Sequence, residues 1–278
     1  MTSLSANISG IMVLAQRHET VYDGRTTVWH EWGRGTPLVL LHGGSGSWTH
    51  WLRNVLPLSE AGYRVIAPDI PGFGESDIAA VGGDDAPGTV APLWAGLDQL
   101  VQDPYPLVGF SFGAMIAVMM AIARPQCVRH LVLVAPPGLG LREEGDKLLP
   151  WRHLADMRAQ DLAHRHNLAV RMLHRPASID GNAVAVHGAN LALDRMRSRR
   201  IHQTDVVLRA LPSLSCKVDV VFGAEDALYR SQLGSVKGLL QTSPGLNEFR
   251  IHPGAGHWVQ FEDPERFNSE LVQLLAQS

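Results

Sequence analysis

Val108-Gly109-Phe110-Ser111-Phe112-Gly113 joins one apolar run, Pro106–Phe110, to another, Phe112–Ala123. The first run reads as a strand and the second as a helix. The chain must therefore turn sharply with a serine at the apex. Gly109 and Gly113 lie two positions on either side of Ser111, where a larger side chain would collide across such a turn. This is the G-x-S-x-G pattern in the strand–turn–helix setting of a nucleophile elbow. It would stand the Ser111 hydroxyl at the carboxyl end of a sheet, where open α/β folds place their ligands. The helix N-terminus beneath it favours developing negative charge. The plainer reading of Ser111 is a helix N-cap.

Around this stretch, apolar strands alternate with helices. Pro37–Leu41 (PLVLL) and Tyr63–Pro68 (YRVIAP) have the composition of strands buried on both faces, and Val128–Ala135 is a third such run. Ile11–Leu14 and Thr26–Glu31 read as short early strands. Helices are expected over Trp48–Leu58, Pro92–Gln102 and Phe112–Ala123. This β-α-β-α order implies parallel strands with crossover helices covering both faces. From Gly138 to Thr204 the periodicity is helical and carries no strand signal, beginning at the Pro136–Gly138 turn. Strands resume at Val218–Phe222 and Asn247–Ile251, with a helix expected near Arg230–Gln241. A last amphipathic helix is expected over Pro264–Ala276, with Asp263 as its N-cap. The plan is an α/β core of residues 1–138 and 206–278, interrupted by a helical insertion over 139–205.

The chain has 278 residues, enough to bury a large core, with 45% hydrophobic and 18% charged residues and a formal net charge of −3. A clustered basic excess of the kind that binds nucleic acid is missing. Cys127 and Cys216 lie far apart and in no metal-ligand spacing, so they read as buried fillers at strand starts. Met1–Gly10 lacks the basic start and apolar stretch of a secretory signal. No run reaches the length of a membrane span. A cytoplasmic protein with no membrane partner is the default expectation. A single chain and a homo-oligomer are both compatible with the sequence.

A serine hydroxyl needs a positioned base. Of 13 histidines, His257 stands on the Gly-rich loop Pro253-Gly254-Ala255-Gly256-His257-Trp258, between a strand and the last helix. Such a loop can present an imidazole to the elbow. The orienting acid should follow an earlier strand, where Glu225 and Asp226 both stand; Asp226, further into the loop, is the preferred candidate. The loop Leu41-His42-Gly43-Gly44-Ser45-Gly46-Ser47-Trp48 lets backbone N–H groups approach a substrate oxygen. The Gly44 and Phe112 N–H groups are the expected oxyanion donors. A phosphate cradle is the alternative, but the loop has neither G-x-G-x-x-G nor G-K-[ST]. His42 and the Asp69–Ser76 turn read as structural.

Together these pieces resemble the α/β-hydrolase superfamily from Leu41 to Leu275. The resemblance implies a mostly parallel eight-stranded sheet with helices on both faces and a helical lid inserted after the sixth strand. It also implies catalytic roles for Ser111, Asp226 and His257, and oxyanion roles for the backbone of Gly44 and Phe112. Dehalogenase and epoxide hydrolase branches carry aspartate at the elbow, where this chain has Ser111. His257-Trp258-Val259-Gln260-Phe261-Glu262 is similar to the carbon–carbon hydrolases of meta-cleavage products. Those enzymes hold their dienoate with a lid arginine, and His187 stands near that place here.

The expected activity is serine hydrolysis of a small carboxylic ester or related carbonyl compound, with no metal or organic cofactor. Carbon–carbon hydrolysis of a dienoate is the alternative, and a ligand receptor of the same fold is a reading from another class. Gly43, Ser45, Trp48, His187 and Trp258 are candidate substrate contacts, and Trp51 and Trp151 could add to an apolar pocket. Basic residues outnumber acids in the insertion. Such a balance suits an anionic substrate, but an exposed helical face holding Arg195, Arg197, Arg199 and Arg200 explains it more simply.

Overall fold

Strands whose side chains are apolar on both faces need cover on both, so they take the middle of a sheet. The computed structural model, which describes residues 6–82, 85–102, 104–141, 146–196, 201–243 and 245–276, holds eight strands. They are β1 (Gln16–Tyr22), β2 (Arg25–Trp32), β3 (Thr36–Leu41), β4 (Tyr63–Pro68), β5 (Tyr105–Phe110), β6 (Val128–Val134), β7 (Lys217–Gly223) and β8 (Leu246–His252). They form one sheet in the order β1-β2-β4-β3-β5-β6-β7-β8. Only the β1–β2 and β2–β4 pairings are antiparallel. Every residue of β5 is buried, whereas the edge strand β1 is mostly exposed. β5 lies between β3 and β6, so the loops after those strands surround Ser111.

The helices are α1 (Ala6–Val13), α2 (Val55–Glu60), α3 (Pro87–Leu100), α4 (Phe112–Ala123), α5 (Met157–Arg171), α6 (Gly181–Ala192), α7 (Val206–Ala210), α8 (Leu233–Leu240), α9 (Val259–Glu262) and α10 (Pro264–Ala276). α4 packs on β5 and against α3, while α10 packs on α2 and α9. Between β6 and β7 the described residues hold helices and no strand, and α5 packs against α6. No helix among the described residues is long and apolar enough to cross a membrane.

Four elements differ from the sequence reading. Ile11–Leu14 lies largely in helix α1, not in a strand: Ile8 and Ile11 bury one helical face, and Trp32 Nε1 donates to the Ile11 carbonyl at 2.9 Å. β1 was not anticipated because its QRHETVY sequence is polar, as an edge strand tolerates. The helix expected over Trp48–Leu58 is broken into a 3₁₀ turn, Trp48–Trp51, and α2. The His50 carbonyl accepts the Trp258 indole N–H at 2.9 Å, while the Asn54 N–H turns to Trp51 O at 2.8 Å. A long-range contact thus displaces the helical bond between them. α3 begins at Pro87 and carries Pro92 within it, so the earlier proline marks the start.

The turn after β4 is structural, as expected. Buried Asp69 accepts the Trp48 and Glu75 N–H groups, each at 2.9 Å. Burial pushes its carboxyl up to about 6, against the pull of those two donors. Arg195 is not on a solvated face. It is half-buried, and its guanidinium donates to the carbonyls of Gly74 and Ser76 in this turn. Arg197, Arg199 and Arg200 lie outside the described residues. Cys127 and Cys216 are half-buried free thiols.

A methyl group on Gly113 would stand 2.4 Å from His42 O and 2.5 Å from Leu41 O, both backbone atoms. Gly238 in α8 has open space where its side chain would be. Gly113→Ala should therefore lose about 3 kcal/mol of stability, while Gly238→Ala should gain up to about 1 kcal/mol from helix propensity. Urea unfolding midpoints measure both.

Candidate active site

Ser111 takes φ 48° and ψ −118°, a left-handed backbone that non-glycine residues avoid. Its N–H donates to Val134 O at 2.8 Å, which anchors the turn to the neighbouring strand β6. A Cβ on Gly109 would lie 2.5 Å from Ala114 Cα, so helix α4 can leave β5 this abruptly only over glycine. The serine is lifted out of the helix and faces a cavity of about 370 Å³.

The loops after β7 and β8 supply its partners. A Cβ on Gly223, the last residue of β7, would stand 2.1 Å from Gly256 O. This close approach brings Asp226 and His257 together. His257 Nδ1 lies 2.7 Å from Asp226 Oδ2, and His257 Nε2 lies 2.9 Å from Ser111 Oγ. Asp226 is fully buried, and its second oxygen accepts the Leu228 N–H at 2.9 Å. The acid therefore has a fixed orientation, and it holds the imidazole so that Nε2 faces the serine. Glu225 takes no part in this row; its N–H donates to Ala255 O.

Gly44 and Phe112 line the same cavity as Ser111 and His257. Among the described residues neither N–H has a hydrogen-bond partner. Gly43 is different. Its N–H donates to His50 Nδ1 at 3.1 Å, and a Cβ there would meet the Phe110 ring at 2.9 Å and Ser111 Cβ at 3.3 Å. Gly43 thus brings the loop close to the serine but does not line the cavity. His42 is structural: its Nε2 accepts the Ile70 N–H at 2.9 Å, and burial pushes its pKa down to about 4.

The other expected contacts divide. Ser45, His187 and Trp151 line a second cavity of about 250 Å³, which also reaches Gly44. Trp48 and Trp258 are not on either wall. Trp48 packs on Trp32 with ring centroids 4.9 Å apart, its backbone held by Asp69. Trp258 stacks on Phe261 at 4.0 Å and donates its indole N–H to His50 O. Trp51 packs on Phe267. Among the described residues no group of three or more His, Cys, Asp or Glu is placed to hold a metal.

The sequence profile of the alpha/beta hydrolase family matches residues 38–270. The chain belongs to this family. This hydrolase is 31% identical over 270 residues to the 2-hydroxy-6-oxo-6-phenylhexa-2,4-dienoate hydrolase of Comamonas testosteroni, covering 90% of its own length and 91% of the relative's. It is 31% identical to the 2-hydroxymuconate semialdehyde hydrolase of Pseudomonas sp. (strain CF600), covering 94% of each. Among solved structures it shares its fold with an esterase from Rhodococcus sp. ECU1013, at TM-score 0.73 and 24% identity, covering 95% of this chain and 98% of that one. A meta-cleavage product hydrolase from Pseudomonas fluorescens IP01 superposes at TM-score 0.75 and 22% identity, covering 94% and 97%.

One residue that the sequence reading gave no role to ties this hydrolase's site to the insertion. The Glu262 carboxylate is buried and accepts three backbone N–H groups: Gly256 at 2.6 Å, His174 at 3.0 Å and Arg175 at 2.5 Å. Gly256 directly precedes His257, while His174 and Arg175 follow α5. Trp258 N–H adds a bond to Met172 O at 2.8 Å. Arg171, Leu148 and Tyr229 also line the catalytic cavity without having been anticipated. Their positions come from packing and leave no spacing in the sequence. Glu262→Ala leaves three backbone donors without their acceptor, the Gly256 N–H buried and the other two partly so. It should cost on the order of 3 kcal/mol and slow Ser111 labelling by a fluorophosphonate, as measured by urea unfolding and labelling kinetics.

Proposed function

We propose that this hydrolase cleaves a small carboxylic ester through an acyl-enzyme on Ser111. The observation that carries the reading is the Asp226–His257–Ser111 row, ending at a cavity also lined by Gly44 and Phe112. In this reading His257 Nε2 accepts the serine proton as Oγ attacks the carbonyl carbon. The Gly44 and Phe112 N–H groups donate to the oxyanion of the tetrahedral intermediate. His257 then gives its proton to the leaving alcohol. A water molecule, deprotonated by His257, attacks the acyl-enzyme and releases the acid. Asp226 stabilises the imidazolium formed in each half-reaction. The chemistry calls for no metal or organic cofactor, and the partner is a small molecule.

A second reading is hydrolysis of a carbon–carbon bond in a dienoate. The names of the relatives favour it, and so does Arg171, which lines both cavities. A guanidinium there suits an acidic arm of a substrate, although it comes from α5 and not from the place of His187.

Wild type and Ser111→Ala should be compared by fluorophosphonate labelling and by turnover of p-nitrophenyl esters from C2 to C8. Wild type should label and turn over at least one ester, and Ser111→Ala should fold, fail to label and lose about a thousandfold or more in rate. An active, well-folded Ser111→Ala protein would overturn the mechanism. Labelling without ester turnover, together with rapid bleaching of a dienol product's visible absorbance, would select the second reading. Labelling with single turnover alone would indicate a ligand receptor.

A further inference from the structure

The second cavity is mostly apolar, walled by Leu148, Leu149, Trp151, Met172 and Leu191. Two of its polar side chains are already engaged. Asn167 bonds both the N–H and the carbonyl of Leu149, at 2.7 and 3.0 Å. Ser45 Oγ donates to Asp194 at 2.6 Å.

The two imidazoles on the wall are placed differently. His50 Nδ1 accepts the Gly43 N–H, so that nitrogen carries a lone pair. A neutral ring then bears its one proton on Nε2. Burial keeps the ring neutral, holding its pKa well below the usual histidine range, with the neighbouring His42, His187 and His257 adding to the effect. His187 Nε2 is buried and has no hydrogen-bond partner among the described residues. Burial, with His164 beside it, pushes the His187 pKa down to about 4. A buried imidazole nitrogen without a partner is costly unless a ligand completes it.

We infer that this cavity is a specificity subsite, in which His50 and His187 hold an uncharged oxygen, a hydroxyl or keto group, on one arm of the substrate. The inference rests on the Ser111 reading above, because the cavity meets the catalytic one at Gly44. The His50 Nε2–H donates to the oxygen. His187 Nε2 completes the site, donating to a keto group or accepting from a hydroxyl according to its tautomer. The burial that keeps both rings neutral also penalises a carboxylate in the same space. Arg171 lines this cavity and the catalytic one, and its guanidinium offsets the penalty for a carboxylate within its reach, so an anionic substrate is the direct comparison.

The test uses matched esters in which one oxygen replaces one methylene. On the acyl side, p-nitrophenyl methoxyacetate is compared with p-nitrophenyl butyrate. On the alcohol side, 2-methoxyethyl butyrate is compared with butyl butyrate. p-Nitrophenyl hemisuccinate supplies the anionic member. Wild type should favour the oxygen-bearing member of one pair by at least tenfold in kcat/KM, mainly through KM. His187→Leu should cut that preference to below about threefold, and His187→Gln, which keeps a polar group near the same place, should restore part of it. Equal rates within both pairs in wild type would overturn the inference whether or not the variants fold, and so would the hemisuccinate being the best substrate. Fluorophosphonate labelling of wild type keeps the two readings apart. Without it the Ser111 reading fails; with it, and with no oxygen preference, only the subsite fails.

Discussion

The structure depends on a backbone turn that the chain would not adopt by itself. Ser111 sits at φ 48°, in a region that costs a non-glycine residue about 1–3 kcal/mol. The surroundings hold it there. Its N–H bonds to Val134 of β6, its carbonyl accepts the Ala114 N–H at 2.8 Å, and Gly109 and Gly113 let α4 lie directly against β3 and β5. The parallel sheet is therefore also the device that keeps a serine hydroxyl out of the helix and facing open space. Loops after three other strands of the sheet serve the same point: β3 brings Gly44, β7 brings Asp226 and β8 brings His257.

A second level of order fixes the insertion to this frame. Glu262 ties the chain after α5 to the loop that carries His257, and Arg175 donates to Gly254 O at 2.9 Å in the same loop. After α6, Arg195 is bound to the turn held by Asp69. The α5–α6 segment is thus fastened, between its two helices and just beyond the second, to loops at the carboxyl edge of the sheet. The cavities beside Ser111 lie between that segment and those loops, so their shape follows from charge-assisted bonds to backbone groups as well as from apolar packing. Placement of the imidazole and placement of the insertion are coupled through one carboxylate.

Kinship and local chemistry address different questions here. Relatives of about 31% identity establish the family and the hydrolase chemistry class. The walls of the cavities belong to this chain: a guanidinium from Arg171, and imidazoles from His50 and His187 that burial keeps uncharged. A neutral imidazole and a guanidinium select different substrate groups even on the same scaffold, because one offers uncharged hydrogen bonds and the other a full charge.

The residue order determined the central strands, the elbow and the three polar side chains that meet there. These rest on local rules: apolar runs of strand length, glycines at fixed offsets from a serine, and a histidine and an aspartate on loops that follow strands. It also marked the helical stretch between β6 and β7 by the loss of strand periodicity. Tertiary structure decided what depends on partners distant in sequence. Trp258 broke the helix expected at Trp48–Leu58 by taking the His50 carbonyl, and Trp32 helped hold Ile8 and Ile11 in a helix. It removed Trp48 and Trp258 from the expected substrate contacts and introduced Arg171 and His50 in their place. It also gave Glu262 three backbone donors from two loops. Periodicity and turn chemistry act over a few residues and are written in the chain itself. The burial and pairing of a polar side chain are set by whatever the fold brings against it.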